Sequence, residues 1–421
     1  MKDSQEAPSQ KPLNLLLSVY ACRPDKGSEP GVGWNMAKEL AKHHRVWAIT
    51  RADNRAAIEA ELAQHPIANL TILYHDLPVW ARWWKTETRG VHLHHYLWQI
   101  GAFFEARTLH AQVTLDLVHH VTYGRYSAPS FLSLLPIPFI FGPVGGGESA
   151  PLPFWQDFNL KNKRYELLRS LARWTGERDP FVRATVKRSQ AAIVATPETS
   201  QRLERLGAPR IERICGQTGI NQTELAKLQQ LPPISSDRPI KFISIGRLLH
   251  WKGFHLGLRA FAQANLEHSE YWLVGDGSER LQLEALAVQL NIREKVRFFG
   301  NLPRAETLDK LGQCDTLVHP SLHDFSPTVC LEGMAAGRPV ICLDIGGPAT
   351  QITTATGFKV AARTPEQAVA DIAIVMQKLA ASPQLRTRMG IAGQQRVAEL
   401  YSWNSKGDFV NQLYQDVLRA A

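Results

Sequence analysis

Hydrophobic and polar positions along the chain predict strands that alternate with amphipathic helices. In the first half, the apolar run LNLLLSVYA is followed by the helical pattern GWNMAKELAKH and then by a second apolar run, RVWAITR. In the second half, IKFISIGR, FHLGLRAFAQA and EYWLVGDG follow one another in the same order. Such alternation is typical of parallel sheets whose strands are joined by crossover helices. The pattern therefore predicts an α/β fold in which a doubly wound, Rossmann-like arrangement occurs twice.

The length of the chain and a break in the pattern predict two domains. A chain of 421 residues is long enough for two domains of roughly 200 residues each. Turn-forming residues and prolines collect in GQTGINQTELAKLQQLPPISSDRP, and the strand pattern restarts at Ile240. We therefore predict an N-terminal domain over 1–216, a linker over 217–239 and a C-terminal domain over 240–403. The last segment, about 404–421, is helical in pattern and is expected to pack back on the N-terminal domain.

Composition and charge narrow the class of protein. Hydrophobic residues make up 44% and charged residues 21% of the chain, as in an ordinary soluble protein. The five cysteines are scattered, so neither a disulfide framework nor a zinc site is predicted, and we expect the protein to be cytoplasmic. The net charge of +9 indicates an anionic partner, either a phosphorylated substrate or anionic lipid at the inner face of the membrane. No nucleic-acid-binding motif accompanies the charge, so nucleic acid is not expected as a partner.

Two carboxylates stand out in HDFSPTVCLEGMAAG, between apolar runs that are typical of strands. A short helix is predicted between those strands, capped by Ser326 or Thr328 and ended by Gly337. This places Asp324 in the loop and Glu332 on the second helical turn. A helix N-terminus favours phosphate, and carboxylates accept hydrogen bonds from paired sugar hydroxyls, so the arrangement suits a nucleotide-sugar. An ordinary loop acid and a solvated helix residue are the alternative explanation.

A pair of cations follows the first strand of the second half. In ISIGRLLHWKGF the strand is predicted to end at Gly246, and Arg247 and Lys252 lie in the loop before the next helix. Ligands of such folds bind beyond the carboxyl ends of the strands. A guanidinium and an ammonium at this spacing can clamp one diphosphate, although two solvated basic residues explain the pair as well.

Two further loops carry candidate chemistry. In ACRPDKGSEPGVGWN, Gly31 and Gly33 precede a helix that we expect to begin near Trp34, and glycines there let the backbone approach a phosphate. The dinucleotide fingerprint GxGxxG is absent, so NAD is a poor fit. The predicted strand in LDLVHHVTYG ends in His119 and His120, of which only one can point into a cleft. A flexible connection and a structural histidine are the alternative explanations.

Together these motifs resemble the family 4 glycosyltransferases, retaining enzymes of the two-domain architecture called GT-B. The resemblance extends over nearly the whole chain. In the second half it rests on GR....KG, LVGDG, VRFFGNLPR and HPSLHDFSPTVCLEGMAAGRPVI, in that order. In the first half, GSEPGVGWNMAKELAKHHRVWAITR and GPVGGGE are similar to a bacterial branch of the family. The resemblance implies two Rossmann-like domains that face a cleft.

The resemblance also implies roles for the charged residues. Arg247 and Lys252 match the cations that hold the diphosphate of the donor. Glu332 matches the acid that binds the nucleotide ribose, and Asp324 matches the acid that contacts the donor sugar. The sequence departs from the family pattern at Asp324, where glutamate is usual, and at 325–327, where Phe-Ser-Pro stands instead of a glycine-containing pair. The identity of the donor sugar is therefore left open.

Other candidate residues follow from the same resemblance. Gly31 and Gly33 match the N-terminal loop that closes over the phosphates. One of the paired histidines, for which we choose His120 over His119, matches a histidine of the cleft that contacts the donor sugar. The remaining residues of the expected donor site are Gly246, Ser326 and Thr328.

The implied reaction is transfer of a sugar from a nucleotide-sugar to a glycan or lipid-linked acceptor. The sequence shows no obvious nucleophile and no DxD metal motif at a strand end. We therefore expect front-face attack of the acceptor without a metal cofactor, the charge of the leaving group being stabilised by protein cations. The resemblance implies hexosyl transfer, with a UDP-sugar favoured over a GDP-sugar as donor. Residues 79–104 concentrate tryptophans among basic residues, which suits a membrane interface, sugar stacking or ordinary helix packing.

Two other classes of protein fit the same architecture. A nucleotide-sugar epimerase would need acid and base groups around the donor sugar and would need no acceptor. A non-catalytic nucleotide-sugar-binding or scaffold protein is the other alternative, and the departures at Asp324 and at 325–327 are its only support. The nature of the product, if any, separates the three classes.

Overall fold

The computed structural model describes residues 11–86, 89–214, 216–232 and 239–420. Within them, the first half of the chain forms a parallel sheet of seven strands in the order β3-β2-β1-β4-β5-β6-β7. These strands are β1 Asn14–Val19, β2 Arg45–Arg51, β3 Leu70–His75, β4 Leu117–Thr122, β5 Phe139–Val144, β6 Ala191–Val194 and β7 Ile211–Arg213.

The second half forms another parallel sheet, with six strands among the described residues in the order β10-β9-β8-β11-β12-β13. These strands are β8 Ile240–Ile245, β9 Ser269–Val274, β10 Val296–Gly300, β11 Thr316–His319, β12 Val340–Leu343 and β13 Gly357–Val360. In both sheets the first strand lies inside the sheet and the strand order reverses beside it, as in the Rossmann arrangement. The predicted α/β fold with two doubly wound domains is confirmed.

Helices connect the strands of both sheets and complete the two domains. In the first half they are α1 Ser28–Leu40, α2 Arg55–Gln64, α3 Val91–Val113, α4 Leu160–Gly176, α5 Pro180–Arg188 and α6 Pro197–Leu206. In the second half they are α7 Gln222–Gln229, α8 Phe254–Ala264, α9 Arg280–Gln289, α10 Arg304–Gly312, α11 Thr328–Ala335, α12 Gly346–Gln351, α13 Pro365–Ala381, α14 Pro383–Leu400 and α15 Trp403–Ala420.

The first helix begins earlier than predicted. α1 starts at Ser28, so Gly31 and Gly33 lie within the helix and not in a loop before Trp34. The helix includes Pro30 in its first turn, where the missing N–H of proline needs no partner. α1 also packs closely on the loop before it, since a Cβ at Gly33 would overlap the carbonyl oxygen of Ala21. The predicted start near Trp34 was wrong because the glycines serve this close packing and not an open loop.

Each domain completes its core with residues from the other half of the chain. Phe154 and Phe158 lie before β6 in sequence, yet both pack into the core of the second sheet. At the end of the chain, α15 buries Tyr414 and Val417 in the core of the first sheet. These exchanges hold the two domains together. Part of the predicted linker, 233–238, lies outside the described residues.

The helix predicted between the two carboxylates is α11. As predicted, Asp324 lies in the loop before it and Glu332 on its second turn. The predicted cap was wrong, because neither Ser326 nor Thr328 accepts a hydrogen bond from the first turn and no side chain caps α11. The Ser326 hydroxyl oxygen instead accepts a hydrogen bond of 2.9 Å from the backbone N–H of Gln217. This bond ties the loop to the connection between the domains.

Candidate functional site

A cavity of about 740 Å³ lies between the two domains. On the first-domain side it is bounded by the start of α1, the loops after β4 and β5, and one face of α4. On the second-domain side it is bounded by the loop 324–326 after β11. The carboxyl ends of strands from both sheets therefore meet at this cavity. Doubly wound folds bind their ligands at such a position.

Asp324 lines the cavity and forms an ion pair with Lys252. The Lys252 Nζ lies 2.6 Å from Asp324 Oδ2, and His319 Nε2 lies 2.9 Å from the same oxygen. Burial raises the pKa of Asp324, but Lys252 and His319 outweigh burial and hold that pKa well below its usual range. Burial also lowers the pKa of His319, and the hydrogen bond with Asp324 and the charge of Asp324 oppose this fall. The structure thus brings two of the predicted residues into direct contact.

Glu332 is buried on α11 and does not line the cavity. Its Oε1 accepts a hydrogen bond of 2.8 Å from Arg304 Nη1, and the same guanidinium contacts Glu224 on α7. Burial raises the pKa of Glu332, and the charge of Arg304 opposes this rise. Arg304, which sequence analysis missed, therefore links the predicted ribose acid to the connection between the domains.

Gly246 and Arg247 follow β8 at the edge of the second sheet. Gly246 has a φ of +150°, a backbone conformation that favours glycine. Arg247 is exposed and lies outside the cavity wall. Burial raises the pKa of Tyr165 on α4, and the charges of Arg169 and Arg247 act against this rise. Arg247 therefore lies near α4, across the gap between the domains.

The paired histidines are buried on β4 and do not line the cavity. His119 Nδ1 lies 2.6 Å from the Tyr414 hydroxyl, and its Nε2 lies 2.5 Å from the carbonyl oxygen of Gly142. His120 lies next to His95, and its Nδ1 has no hydrogen-bond partner among the described residues. Burial lowers the pKa of both histidines to about 3. The structure does not bring His120 to the cleft position that the resemblance implied, because both rings are enclosed by the sheet and its helices.

Of the remaining predicted residues, some lie at the cavity and others are buried in α1. Ser326 lines the cavity, and Thr328 begins α11 directly after the same loop. Gly31 and Gly33 are buried inside α1. They do not form a loop over the cavity, and they act on it only by letting α1 pack where its first residues reach the wall.

A half-buried acid at the start of α1 was missed by sequence analysis. Glu29 lines the cavity, and its Oε1 accepts a hydrogen bond of 2.6 Å from the backbone N–H of Gly124. Burial raises the pKa of Glu29, while the Gly124 N–H and the charge of Arg51 lower it. The acid is visible within GSEPGVGW, but only a helix that starts at Ser28 brings it to the cavity.

Glu166 on α4 joins the two domains at the edge of the cavity. Its Oε1 lies 2.9 Å from His250 Nε2 and 3.0 Å from His323 Nε2, both in the second domain. Burial raises the pKa of Glu166, but the hydrogen bonds from the two histidines bring it down to about 2. Beside this cluster, the Tyr165 ring stacks on Trp251 with centroids 5.1 Å apart. Sequence analysis missed these contacts because Glu166 is far in sequence from both histidines.

The residues that depart from the family pattern pack the domains together. Phe325 lies against Gly145 in the glycine-rich loop after β5, so closely that a Cβ at Gly145 would overlap the ring. The same ring packs on the core of the first domain. Next to it, Ser326 holds the connection between the domains. The Phe-Ser-Pro segment therefore makes an interdomain contact that a glycine pair would not make.

The residues that the structure describes contain neither a candidate metal site nor a candidate membrane-spanning helix. No group of three or more His, Cys, Asp or Glu side chains in this part of the chain could hold a metal ion. No helix within the same residues is long and apolar enough to cross a membrane.

Part of the chain is similar to a known family and to several curated proteins. Residues 230–396 match the family described as glycosyl transferases group 1. The chain is 29% identical over 215 residues to the lipopolysaccharide core biosynthesis glycosyltransferase LpsD of Rhizobium meliloti, a match covering 51% of this chain and 60% of that protein. It is 30% identical over 242 residues to LpsE of the same organism, covering 54% of this chain and 64% of that protein. The chain thus spans under two thirds of the length of these curated relatives.

Solved structures extend the similarity to nearly the whole chain. Sucrose-phosphate synthase from Thermosynechococcus elongatus superimposes with a TM-score of 0.67 and 18% identity, covering 97% of this chain and 99% of that one. At this identity the likeness concerns the fold alone. Residues 230–396 are therefore similar to the glycosyl transferases group 1, and the chain has the two-domain GT-B fold that the sequence resemblance implied.

Proposed function

We propose that this protein is a retaining glycosyltransferase that transfers a hexosyl group from a nucleotide-sugar to a glycan or lipid-linked acceptor. The observation that carries the proposal is the Lys252–Asp324 ion pair at the wall of the interdomain cavity. Both residues match the family's donor-site pattern, although 72 positions separate them in sequence. The group 1 family match over 230–396 supports the same assignment.

In the proposed complex, the diphosphate of the donor lies near Lys252, Arg247 and the start of α11. The first N–H groups of α11 have no side-chain cap, so they can donate to phosphate oxygens, and the helix dipole adds to the attraction. Glu332 accepts hydrogen bonds from the ribose hydroxyls, for which its buried carboxylate needs to be ionised. Arg304 stabilises that ionised form through its contact of 2.8 Å.

The same residues account for the proposed chemistry. When the glycosidic bond breaks, negative charge rises on the leaving diphosphate, and Lys252 and Arg247 stabilise it. The acceptor hydroxyl attacks the anomeric carbon from the face that the diphosphate leaves, and its proton passes to the departing phosphate oxygen. Asp324 is held by Lys252 and His319, so we assign it a hydrogen bond to the donor sugar and not nucleophilic attack. The proposed route draws its charge stabilisation from these protein groups without a metal cofactor.

The variant Glu332→Gln is expected to bind UDP at least about tenfold more weakly, because hydrogen bonds to a charged group are stronger than those to a neutral one. Isothermal titration calorimetry with UDP, GDP and ADP measures the affinities of both proteins. A nucleotide without ribose hydroxyls, 2′,3′-dideoxy-UDP, is the matched control: the wild type should bind it about as weakly as the variant binds UDP. Equal affinity of the wild type for UDP and its dideoxy form would argue against the ribose role.

The proposed acceptor is attached to a membrane lipid. Two curated relatives are named as lipopolysaccharide core biosynthesis glycosyltransferases. On this chain, Trp80 and Trp83 are 78% and 82% exposed, and Arg82 lies between them. The outward face of α4 has apolar residues at helical spacing among basic ones: Leu160, Leu167, Leu171 and Trp174. An exposed apolar stripe flanked by basic residues suits the surface of an anionic membrane, here the cytoplasmic face.

The protein is expected to sediment with vesicles that contain phosphatidylglycerol and to stay in solution with phosphatidylcholine alone. Because the attraction is partly electrostatic, added salt should release it. The double variant Leu167→Gln/Leu171→Gln should lose most of the binding, whereas Ile374→Gln, which changes an equally exposed residue on α13, should not. Equal binding to both kinds of vesicle, or unchanged binding by the double variant, would contradict this surface.

A further inference from the structure

Three arginines of the first domain form part of the cavity wall. Arg125 follows β4, and Arg169 and Arg173 lie one turn apart on α4. All three line the cavity. The family resemblance assigned none of them a role, and the proposed donor site does not use them.

The guanidinium groups of α4 converge on one backbone oxygen. Arg169 Nη1 and Arg173 Nη1 each donate a hydrogen bond of 2.7 Å to the carbonyl oxygen of Glu148. Arg173 is only 5% exposed, and its Nε has no hydrogen-bond partner among the described residues. Arg125 Nε donates to the Ser127 hydroxyl at 3.0 Å. These neutral partners orient the arginines without neutralising them.

Carboxylates do not balance this charge. In the part of the chain that the structure describes, no carboxylate oxygen lies within 4.0 Å of Arg125 or Arg173, and Arg169 lies 4.0 Å from Glu166. Glu166 already accepts hydrogen bonds from two histidines. The other acids on the cavity wall are Glu29, bound to a backbone N–H, and Asp324, paired with a lysine.

Burial and neighbouring charges both act on the pKa values of these groups. Burial lowers the pKa of Arg173 to about 10, and the charges of Arg169 and Arg202 act in the same direction. Burial also lowers the pKa of Arg125. Near them, burial raises the pKa of Tyr165, whereas the charges of Arg169, Arg247 and Arg125 lower it. Tyr165 therefore lies within electrostatic reach of both the arginine wall and Arg247 beside the proposed donor site.

We propose that Arg125, Arg169 and Arg173 bind a phosphate monoester carried by the acceptor. The proposal rests on the proposed function in one respect, namely that the ligand of this wall is the sugar acceptor. Guanidinium groups bind tetrahedral oxyanions through paired N–H donors, and a phosphate monoester brings up to two negative charges to a wall with surplus positive charge. The acceptor hydroxyl is then positioned between this anchor and the donor sugar at Asp324.

Inorganic phosphate is the probe for this site, titrated by calorimetry into the full chain in the presence of saturating UDP. UDP occupies the donor cations, so the phosphate that still binds reports the arginine wall. Arg125→Gln and Arg169→Gln are each expected to weaken this binding about tenfold, since each removes a charged hydrogen-bond donor. Arg164→Gln, an exposed arginine on the same helix, is the matched control and should bind phosphate as the wild type does. Unchanged UDP affinity shows that each variant is folded.

The outcomes separate this site from the proposed function. Phosphate binding that UDP abolishes, or that stays within twofold of wild type in both arginine variants, overturns the arginine wall. If UDP itself does not bind, the proposed function fails, and the titration is repeated without UDP on Lys252→Met, which lacks the donor-side cation. Loss of phosphate binding in that background on adding Arg125→Gln still supports the anion site, and unchanged binding overturns it.

Discussion

Replacing Lys252 with methionine is expected to lower the rate of sugar transfer by about a hundredfold or more. Removal of one group that stabilises developing charge in a transition state has an effect of this size. Lys252 contacts the cavity wall through Asp324, with its Nζ 2.6 Å from Asp324 Oδ2, whereas Arg247 is exposed. The turnover of donor into glycoside at saturating substrate measures the effect.

The same substitution leaves Asp324 without its cationic partner, so loss of activity must be separated from loss of stability. We expect Lys252→Met to destabilise the protein by about 1–3 kcal/mol, the usual result of leaving a buried polar group without its partner. The double variant Lys252→Met/Asp324→Asn removes the uncompensated charge, so its melting temperature should recover while its transfer rate stays low. A double variant that regains activity, or a single variant within a few fold of wild type, would refute the electrostatic role of Lys252.

Stability is expected to fall steeply in mild acid because two buried histidines are neutral in the folded protein. Burial lowers the pKa of His119 and His120 to about 3, against about 6.5 in an unfolded chain. Between these values the unfolded state binds the protons and the folded state does not, so the free energy of unfolding decreases as pH falls. Each histidine contributes about 1.4 kcal/mol per pH unit. Urea unfolding at pH values from 7 to 5 measures the slope.

The control for this slope is a variant that lacks one of the two groups. In His120→Gln the contribution of this pair to the slope should fall by about half, since His119 still titrates; other buried histidines such as His95, whose pKa burial also lowers, contribute equally in both proteins. Its stability relative to wild type should therefore improve as the pH is lowered, even if it is less stable at pH 7. Parallel curves for the two proteins would mean that His120 is not held neutral by burial.

The alternation of apolar and polar segments was sufficient to predict both sheets, because strands buried on both faces leave a strong signal. It was also sufficient to place Asp324 in a loop and Glu332 on the second turn of a helix. The start of α1 was missed because the glycines of GSEPGVGW favour a loop by local propensity. Close packing against the carbonyl oxygen of Ala21 stabilises a helix there instead.

The partners of the site residues could not be predicted from local pattern. The Lys252–Asp324 pair joins two loops of the second domain, and the cluster of Glu166, His250 and His323 joins both domains. Such contacts depend on how the two sheets face each other, which no short motif specifies. The arginines of α4 could not be assigned a site from the sequence, since nothing in their spacing indicates that two of them meet at one carbonyl oxygen.

The family roles of individual residues stay predictions, with His120 the least supported by the geometry. Its ring lies beside His95 inside the first domain and not at the cavity. Phe325 departs from the family pattern, and this departure left the identity of the donor sugar open. In the structure its ring packs on Gly145 across the domain boundary.

The most direct test of the central claim is mass spectrometry of the products formed from UDP-, GDP- and ADP-sugars, with and without a lipid extract. We expect that one nucleotide-sugar is consumed and that a new glycoside forms when lipid is present. Donor consumption and glycoside formation should both collapse in Glu332→Gln. An epimerised donor without any glycoside would contradict transferase activity. If none of the nucleotide-sugars is consumed, the protein has this fold without transferase activity.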